Sequence, residues 1–255
     1  MKFKLICCEI FLREASMILA NSNNTVDPVF LPKGAHEDSE GLRSLIQSEI
    51  NSVKKEDNYD AVLLGYGLCG NVAVGLQAYL VPLVIPRAHD CCSILLGSGK
   101  RFLELFGDNL SQRWTSAGYM ERGKSYFKES ETGKNLGLDK EFSEFVETYG
   151  EENAWFIWDT IHPKTDESKL VYIEIPETAH LGLRKKVESI ALKEGKELRC
   201  IDGTAEIIKG LIEGDWCEGI KKERAAAANM NYLVVQPAEI IEAVYDYEEV
   251  MKAIS

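Results

Sequence analysis

The sequence predicts an α/β fold, with a parallel, Rossmann-like sheet in a first lobe and a second α/β lobe after it. Short apolar runs of strand length alternate with segments of helical periodicity through most of the chain. The apolar runs are almost uninterrupted, which is typical of parallel strands covered by helices on both faces. Glycine or proline closes several of these runs and marks where strands end.

The first half of the chain contains four predicted strands with helices between them. Apolar residues after the first strand recur at helical spacing, and Asp38 or Ser39 is a candidate cap for the second helix. A short helix opens after the fourth strand, where Asp90 is a candidate cap. The predicted strands are 2–8, 26–32, 59–68 and 79–86, and the predicted helices cover about 10–22, 38–53 and the residues that follow 90.

The segment 107–155 interrupts this alternation. It is polar, contains glycine-bearing turn signals and is predicted to be a connecting or lid-like region. The alternation of strands and helices resumes at about residue 170. The later strands are predicted at 170–176, 197–203 and 231–237, with helices at about 178–194, 204–213 and 238–252.

These patterns divide the chain into three parts. An N-terminal α/β lobe covers 1–125, a connecting, lid-like region covers 126–165, and a C-terminal α/β lobe covers 166–255. An alternative stays open, in which the last three strands extend the first sheet instead of forming a second lobe.

Composition and charge limit the classes of function. The chain has 255 residues, is 45% hydrophobic and carries a formal net charge of −12. A surface this acidic repels nucleic-acid phosphates, so no nucleic-acid partner is expected. Every apolar run is shorter than the ~18 residues that span a bilayer, and Glu9, Arg13 and Glu14 interrupt the apolar stretch that a signal peptide needs. We therefore expect a cytoplasmic protein that binds no membrane, and a homo-oligomer is compatible with its composition.

Three of the seven cysteines fall just after predicted strands. In a reducing compartment, cysteines are structural, catalytic or metal-binding rather than paired in disulfides. Cys8 ends the first strand, Cys69 follows the third and Cys91 follows the fourth. Ligands of open parallel sheets bind outside the carboxyl ends of the strands, so these three thiols are predicted to form the functional site. Each cysteine alone could equally pack in the core.

The residues around these thiols suit a site. Glycines allow the backbone to bend and to approach a ligand closely, and the predicted helix start at Cys91 favours a thiolate through the helix dipole. His89 is a candidate ligand or acid–base group, Arg87 could hold an anion or neutralise a thiolate, and Glu9 is a weaker candidate base. The residues predicted to contact the cofactor are Gly67, Gly70 and Asn71.

The ligand set fits more than one centre. Three cysteines would hold an iron–sulfur cluster with one open iron, which is our first choice. Three cysteines with His89 would make a closed zinc site, and two thiols with His89 would leave zinc an open position. A corrinoid is a third candidate cofactor, although the DxHxxG pattern that is typical of corrinoid binding is absent.

The remaining candidates are weaker. Cys7 and Cys92 are expected to be core or supporting residues, Cys200 a buried strand residue and Cys217 an incidental thiol in a polar turn. Trp114 and Tyr119 could close over the site. Asp159, His162 and His180 are also candidates, but aromatic packing or a surface position explains their segments equally well.

At these residues the chain resembles an uncharacterised family, domain of unknown function sixteen thirty-eight, which is common in anaerobic bacteria and methanogenic archaea. The resemblance implies that Cys8, Cys69, His89 and Cys91 are the characteristic positions. Members often lie beside corrinoid-dependent methyltransferases, which implies one-carbon metabolism and a corrinoid methyltransferase protein as a partner. The matching blocks are 5–14, 30–37, 59–71, 83–98, 117–123, 210–216 and 233–237.

Three hypotheses of function follow. The first is an enzyme or enzyme component whose metal or iron–sulfur centre activates a thiol, a methyl group or a sulfur species. The second is a non-catalytic accessory protein or metal carrier, whose acidic surface would suit a basic patch on a corrinoid methyltransferase. The third is a module that binds a small molecule and keeps its thiols in the core.

Overall fold

The computed structural model describes residues 1–33, 38–107, 112–122, 141–151, 153–155, 158, 168–217, 231–244 and 249–255. Strands and helices alternate through these residues, so the predicted α/β class is confirmed. The strands are β1 (Lys2–Cys8), β2 (Thr25–Leu31), β3 (Ala61–Gly65), β4 (Leu83–Pro86), β5 (Trp114–Ser116), β6 (Lys169–Glu174), β7 (Glu197–Asp202), β8 (Tyr232–Val235), β9 (Ile240–Ala243) and β10 (Met251–Ile254). The helices are α1 (Leu12–Leu19), α2 (Ser39–Asn51), α3 (Cys91–Leu96), α4 (Gly99–Phe106), α5 (Ala117–Arg122), α6 (Phe142–Tyr149), α7 (Leu183–Lys193) and α8 (Glu206–Glu213).

The first sheet has five strands in the order β2-β1-β3-β4-β8. Its first four strands pair in parallel, and β8 adds to the edge of β4 in the antiparallel direction. The chain moves from β1 to β2 on one side and then crosses to β3 on the other. The order therefore reverses between β1 and β3, and in doubly wound sheets ligands bind at this switch point, beyond the carboxyl ends of the strands.

Strand β1 lies between β2 and β3, and its residues from Phe3 to Cys8 are buried. Lys4 is the charged residue among them and is only 8% exposed. Its ammonium donates to the Glu49 carboxylate at 2.7 Å and to the Ser52 hydroxyl at 2.7 Å. A buried ammonium needs such partners, and these bonds fix the end of α2 against β1.

The second sheet contains β5, β6 and β7, all parallel. One face contributes Val171, Ile173 and Ile201 to the same apolar core as the first sheet. The opposite face packs against α7. Backbone contacts also join the two sheets, because the N–H of Thr204 donates to the carbonyl of Leu95 at 2.8 Å.

The end of the chain differs from the sequence prediction. The segment 231–237, assigned to a C-terminal lobe at 166–255, supplies β8 to the first sheet. The predicted helix 238–252 is wrong, because β9 and β10 form an antiparallel hairpin there. Ile241 also exchanges backbone hydrogen bonds with Gly75 and Leu76, which holds β9 extended. β-branched residues such as Ile240 and Ile241 favour this extended state.

Among the described residues, no helix combines the length and the apolar character that crossing a bilayer requires.

Helix α5 lies directly on the 3₁₀ turn Glu9–Phe11 that follows β1. A Cβ at Gly118 would stand 1.8 Å from the carbonyl oxygen of Ile10, so only glycine allows this approach. The contact is between two backbones and cannot be relieved by a side-chain rotation. It places the next residue, Tyr119, over the end of β1.

We expect Gly118→Ala to destabilise the protein by about 1–3 kcal/mol, the range of core overpacking. The added methyl must push α5 away from the turn. The matched control is Gly182→Ala, where a Cβ meets nothing within 4 Å. Its cost is that of placing alanine at a positive φ of 64°, about 1–2 kcal/mol.

Urea unfolding measures both free energies, and hydrogen exchange separates their causes. Amides of α5 should lose protection in Gly118→Ala and keep it in Gly182→Ala. Equal protection of α5 in both variants would show that the close approach does not hold this helix.

Candidate functional site

Three thiols come from the carboxyl ends of three adjacent strands. Cys8 is the last residue of β1, Cys69 lies in the loop after β3, and Cys91 is the first residue of α3 after β4. Cys8 and Cys91 are buried and Cys69 is half-buried. All three therefore lie at the edge of the sheet where ligands of doubly wound sheets bind, and Cys8 ends one strand of the switch point while Cys69 follows the other.

The three sulfurs are close enough to repel one another as thiolates. Burial is the largest cause that raises the pKa of Cys8 to about 12, and the charge of Cys91 raises it further. Burial followed by the charge of Cys8 raises the pKa of Cys69 to about 12. Burial and then the charge of Cys69 raise the pKa of Cys91 well above its ordinary value. Each thiol therefore lies within electrostatic range of the other two, and we call Cys8, Cys69 and Cys91 the thiol triangle.

This result corrects one expectation about the start of α3. The helix does begin at Cys91, but the pKa values of Cys91 and Cys92 are raised rather than lowered. Burial outweighs the helix dipole at both residues, and the carboxylate of Asp90 adds repulsion. Both thiols are therefore protonated near neutral pH.

Backbone hydrogen bonds hold the loop of Cys69 beside the start of α3. The N–H of Leu68 donates to the carbonyl of Ala88 at 2.9 Å, and the N–H of Cys69 donates to that of His89 at 2.8 Å. A Cβ at Gly67 would lie 2.6 Å from the Ala88 oxygen. The glycine predicted to allow close approach thus brings two loops of the protein together, and this contact sets the neighbourhood of Cys69 and Cys91.

The same loop turns through three successive left-handed residues. The φ angles are 48° at Cys69, 67° at Gly70 and 68° at Asn71. Positive φ is unfavourable for a residue with a Cβ, and such strain persists only where surrounding contacts enforce it. Arg43 supplies one of these contacts, because its guanidinium donates to the carbonyl of Asn71 at 2.8 Å.

Backbone amides stabilise each sulfur in its thiolate form. The N–H of Ile10 lowers the pKa of Cys8, opposing the effect of burial. The amides of Gly67 and Cys91 lower the pKa of Cys69, and the amide of Cys91 also lowers the pKa of its own thiol. An amide N–H can donate to a thiolate, and thiolate is the form of cysteine that binds metals.

Tyr119 stands over the third thiol. Its hydroxyl lies 2.9 Å from the Cys91 sulfur. Its ring meets Trp114 edge to face at 4.6 Å between centroids, and the ammonium of Lys33 sits 4.3 Å from the ring centroid. Lys33 also lowers the pKa of Cys8, so its positive charge reaches the thiol triangle.

Glu9 and Tyr66 border the triangle near Cys8. The Glu9 carboxylate accepts the backbone N–H of Lys33 at 2.8 Å, and its charge helps raise the pKa of Cys8. Tyr66 is buried, and its pKa is raised by burial first and then by the charge of Cys8. One oxygen of Glu9 thus joins the ends of β1 and β2, and its role as a base stays a prediction.

Arg87 and His89 have backbone-directed roles in this structure. The Arg87 guanidinium donates to the carbonyls of Glu249 and Met251, so it braces β4 against the C-terminal hairpin. The role predicted for Arg87 toward an anion or a thiolate stays a prediction. His89 contributes its carbonyl oxygen to Cys69.

The other four cysteines have different surroundings. Cys7 is buried and donates to the carbonyls of Cys8 and Gly65. Cys92 is buried in the core, and Cys217 donates to the sulfur of Met1 at 3.5 Å. Cys200 was expected to be buried but is half-buried, because β7 is an edge strand. Asp159 and His162 lie outside the described residues, and His180 is exposed.

Sequence reasoning missed Lys33 and Tyr66 as parts of the site. Lys33 directly follows Pro32 at the end of the second predicted strand, which is the same kind of position that singled out the cysteines. Tyr66 was included in the third predicted strand, 59–68, whereas β3 ends at Gly65 and Tyr66 is the first residue after it. A rule that inspects every polar residue after a parallel strand would have found both.

Within the described part of the chain, no three side chains of His, Cys, Asp or Glu are already arranged as a metal-binding group. The set of Cys8, Cys69, Cys91 and His89 is therefore not preassembled, and the three thiols stand as protonated neighbours.

The chain belongs to the family described as "Protein of unknown function (DUF1638)", whose sequence profile matches residues 30–212, well over half of the chain. The match includes Cys69 and Cys91, and it begins after Cys8. No curated protein and no solved structure shows significant similarity to the chain.

The raised pKa values predict how stability changes with pH in metal-free protein. Cys8 and Cys69 have folded-state pKa values of about 12, above the ~8.5 of an unfolded thiol. A proton held more tightly by the folded chain stabilises it fully below about pH 8.5, and this contribution is lost as the pH rises toward 12. We expect the free energy of unfolding to fall through this range, and to fall less steeply in Cys69→Ser.

Urea unfolding at a series of pH values measures both slopes, with Cys217→Ser as control. A slope unchanged in Cys69→Ser would contradict the prediction.

Removal of Arg87 should loosen the C-terminal hairpin and leave the thiol triangle in place. In Arg87→Met the carbonyls of Glu249 and Met251 lose a charged donor, which costs about 1–3 kcal/mol. Hydrogen exchange should show faster opening of β9 and β10 than of β1. Loss of thiol-dependent metal binding with an intact hairpin would restore the role first predicted for Arg87.

Proposed function

We propose that this member of the family is a metal-centre protein in which Cys8, Cys69 and Cys91 hold an iron–sulfur cluster, or zinc as the second choice. It would act in the cytoplasm as an enzyme or enzyme component of anaerobic one-carbon or sulfur metabolism. The observation that carries the proposal is the position of the three thiols at or just after the carboxyl ends of three adjacent parallel strands, where backbone amides favour the thiolate form of each.

The chemistry of these donors fits such a centre. Thiolates are the soft ligands that select iron–sulfur clusters and zinc over hard cations. Hydrogen bonds to the sulfurs are among the features by which proteins tune cluster potentials. Three cysteines leave one coordination position of a cluster for a substrate, and that open position is what an enzyme needs.

Metal binding would also relieve the repulsion at this site. Three thiols with raised pKa values must lose three protons when they become ligands, so binding should strengthen as the pH rises. A bound cation reverses the local electrostatics, because it stabilises the thiolates that repel one another in its absence. In the bound centre, the amides of Ile10, Gly67 and Cys91 would orient the sulfurs.

A carrier or accessory protein is the alternative, and the position of Cys69 favours it. Cys69 is half-buried and lies beside two exposed residues, Gly70 and Asn71, whereas the other two thiols are buried. A ligand near solvent could release metal to a partner protein. The net charge of −12 would suit a basic partner surface, such as one on a corrinoid methyltransferase.

The cytoplasmic placement rests on the thiols. All seven cysteines are free, which suits a reducing compartment.

The test is the metal content of protein purified without oxygen. We expect iron and acid-labile sulfide with visible absorption, or stoichiometric zinc without colour. Cys8→Ser, Cys69→Ser and Cys91→Ser should each lose most of the metal, whereas the matched control Cys92→Ala should keep it. Metal-free wild type, or equal metal in all variants, would assign the thiols to core packing.

A second measurement separates enzyme from carrier. X-ray absorption of the loaded protein, recorded with and without an added small thiol, reports whether a coordination position is open. A changed iron or zinc environment favours an enzyme, and an unchanged four-ligand environment favours a carrier.

A further inference from the structure

We infer that Tyr119 is a positioning residue of the thiol centre, where its hydroxyl donates a hydrogen bond to the Cys91 sulfur and strengthens metal binding there. The inference rests on the proposed function, since it assigns Cys91 as a ligand. It adds to the centre a residue that the cysteine pattern alone does not indicate, and this residue stabilises the thiolate of Cys91.

The contact is short and chemically directional. The Tyr119 oxygen lies 2.9 Å from the Cys91 sulfur. When Cys91 binds a metal its sulfur carries no proton, so the phenol must be the donor in this pair. Donors to a ligand sulfur stabilise it as an anion, and a side-chain donor can be removed by substitution although a backbone amide cannot.

Three contacts hold the hydroxyl in place before any metal binds. Gly118 lets α5 rest on the carbonyl of Ile10. Trp114 meets the Tyr119 ring edge to face at 4.6 Å between centroids, and the ammonium of Lys33 lies 4.3 Å from its centroid. A donor that is already ordered adds its hydrogen bond without a further entropic cost on binding.

Lys33 makes this donor stronger. A cation over the face of a phenol ring is held there by the ring electrons, and its field draws electron density away from the hydroxyl. Lys33 therefore acts on Cys91 through the ring of Tyr119, in addition to its direct effect on Cys8.

The test is Tyr119→Phe in protein loaded with zinc or with an iron–sulfur cluster under anaerobic conditions. The substitution removes one oxygen and keeps the ring contacts, so the fold should survive. We expect the dissociation constant of the metal to rise ~10–100-fold, as for other outer-shell residues. If the centre is an iron–sulfur cluster, its reduction potential should become more negative, because donors to sulfur favour the reduced state.

The matched control is Tyr59→Phe, which loses a hydroxyl bond to Asp27 of 2.6 Å at the opposite end of the sheet. It should bind metal like wild type. If Tyr119→Phe also matches wild type in affinity and potential, the inference is overturned while the proposed centre stands.

Failure of the proposed function would look different. Wild type itself would then take up no metal, and a role for Tyr119 in metal binding would fall with it. The hydrogen bond is checked independently by the S–H stretching band of Cys91 in metal-free protein, identified by its loss in Cys91→Ser. A band that shifts in Tyr119→Phe supports the hydrogen bond between Tyr119 and Cys91. A band that stays in place shows that this hydrogen bond is absent, whether or not the wild type binds metal.

Discussion

The pairing of β1 with β2 on one side and β3 on the other is the constraint on which the thiol centre depends. Because the chain crosses β1 between these two pairings, the connections after β1 and β3 leave the sheet in different directions. Cys8 and Cys69 stand on either side of the gap that results. Apolar burial of β1 fixes this arrangement, so the forces that make the core also position the thiols.

A second constraint brings Cys91 into the same place. Gly67 allows its loop to touch the backbone at Ala88, and two backbone hydrogen bonds join the segments. The chain then turns through the left-handed residues Cys69, Gly70 and Asn71. Two of these have a Cβ, so the turn costs free energy that the joined loops and Arg43 must offset. Strain of this kind is common where a loop serves a binding site.

Some residues around the thiols could be predicted from local sequence patterns, whereas others depend on contacts between distant parts of the chain. One strand-length apolar run ends at Cys8 and another ends shortly before Cys91, so the local pattern was enough to place both at strand ends. The partners of Arg87 lie more than 160 positions away in the chain, and Tyr119 reaches Cys91 only because α5 packs on the turn after β1. No periodicity records such contacts. The hairpin of β9 and β10 was mistaken for a helix because a short apolar run fits both periods, and only its pairing decides.

Negatively charged side chains add to the effect of burial at all three thiols. Asp90 raises the pKa of both Cys69 and Cys91, and Glu9 raises that of Cys8. Among the causes that lower these pKa values, backbone amides recur at all three thiols and Lys33 is the charged side chain. These amides offset only part of the effect of burial, so the pKa values of all three thiols stay raised. In the proposed metal centre, the balancing positive charge for the thiolates would come from the bound metal.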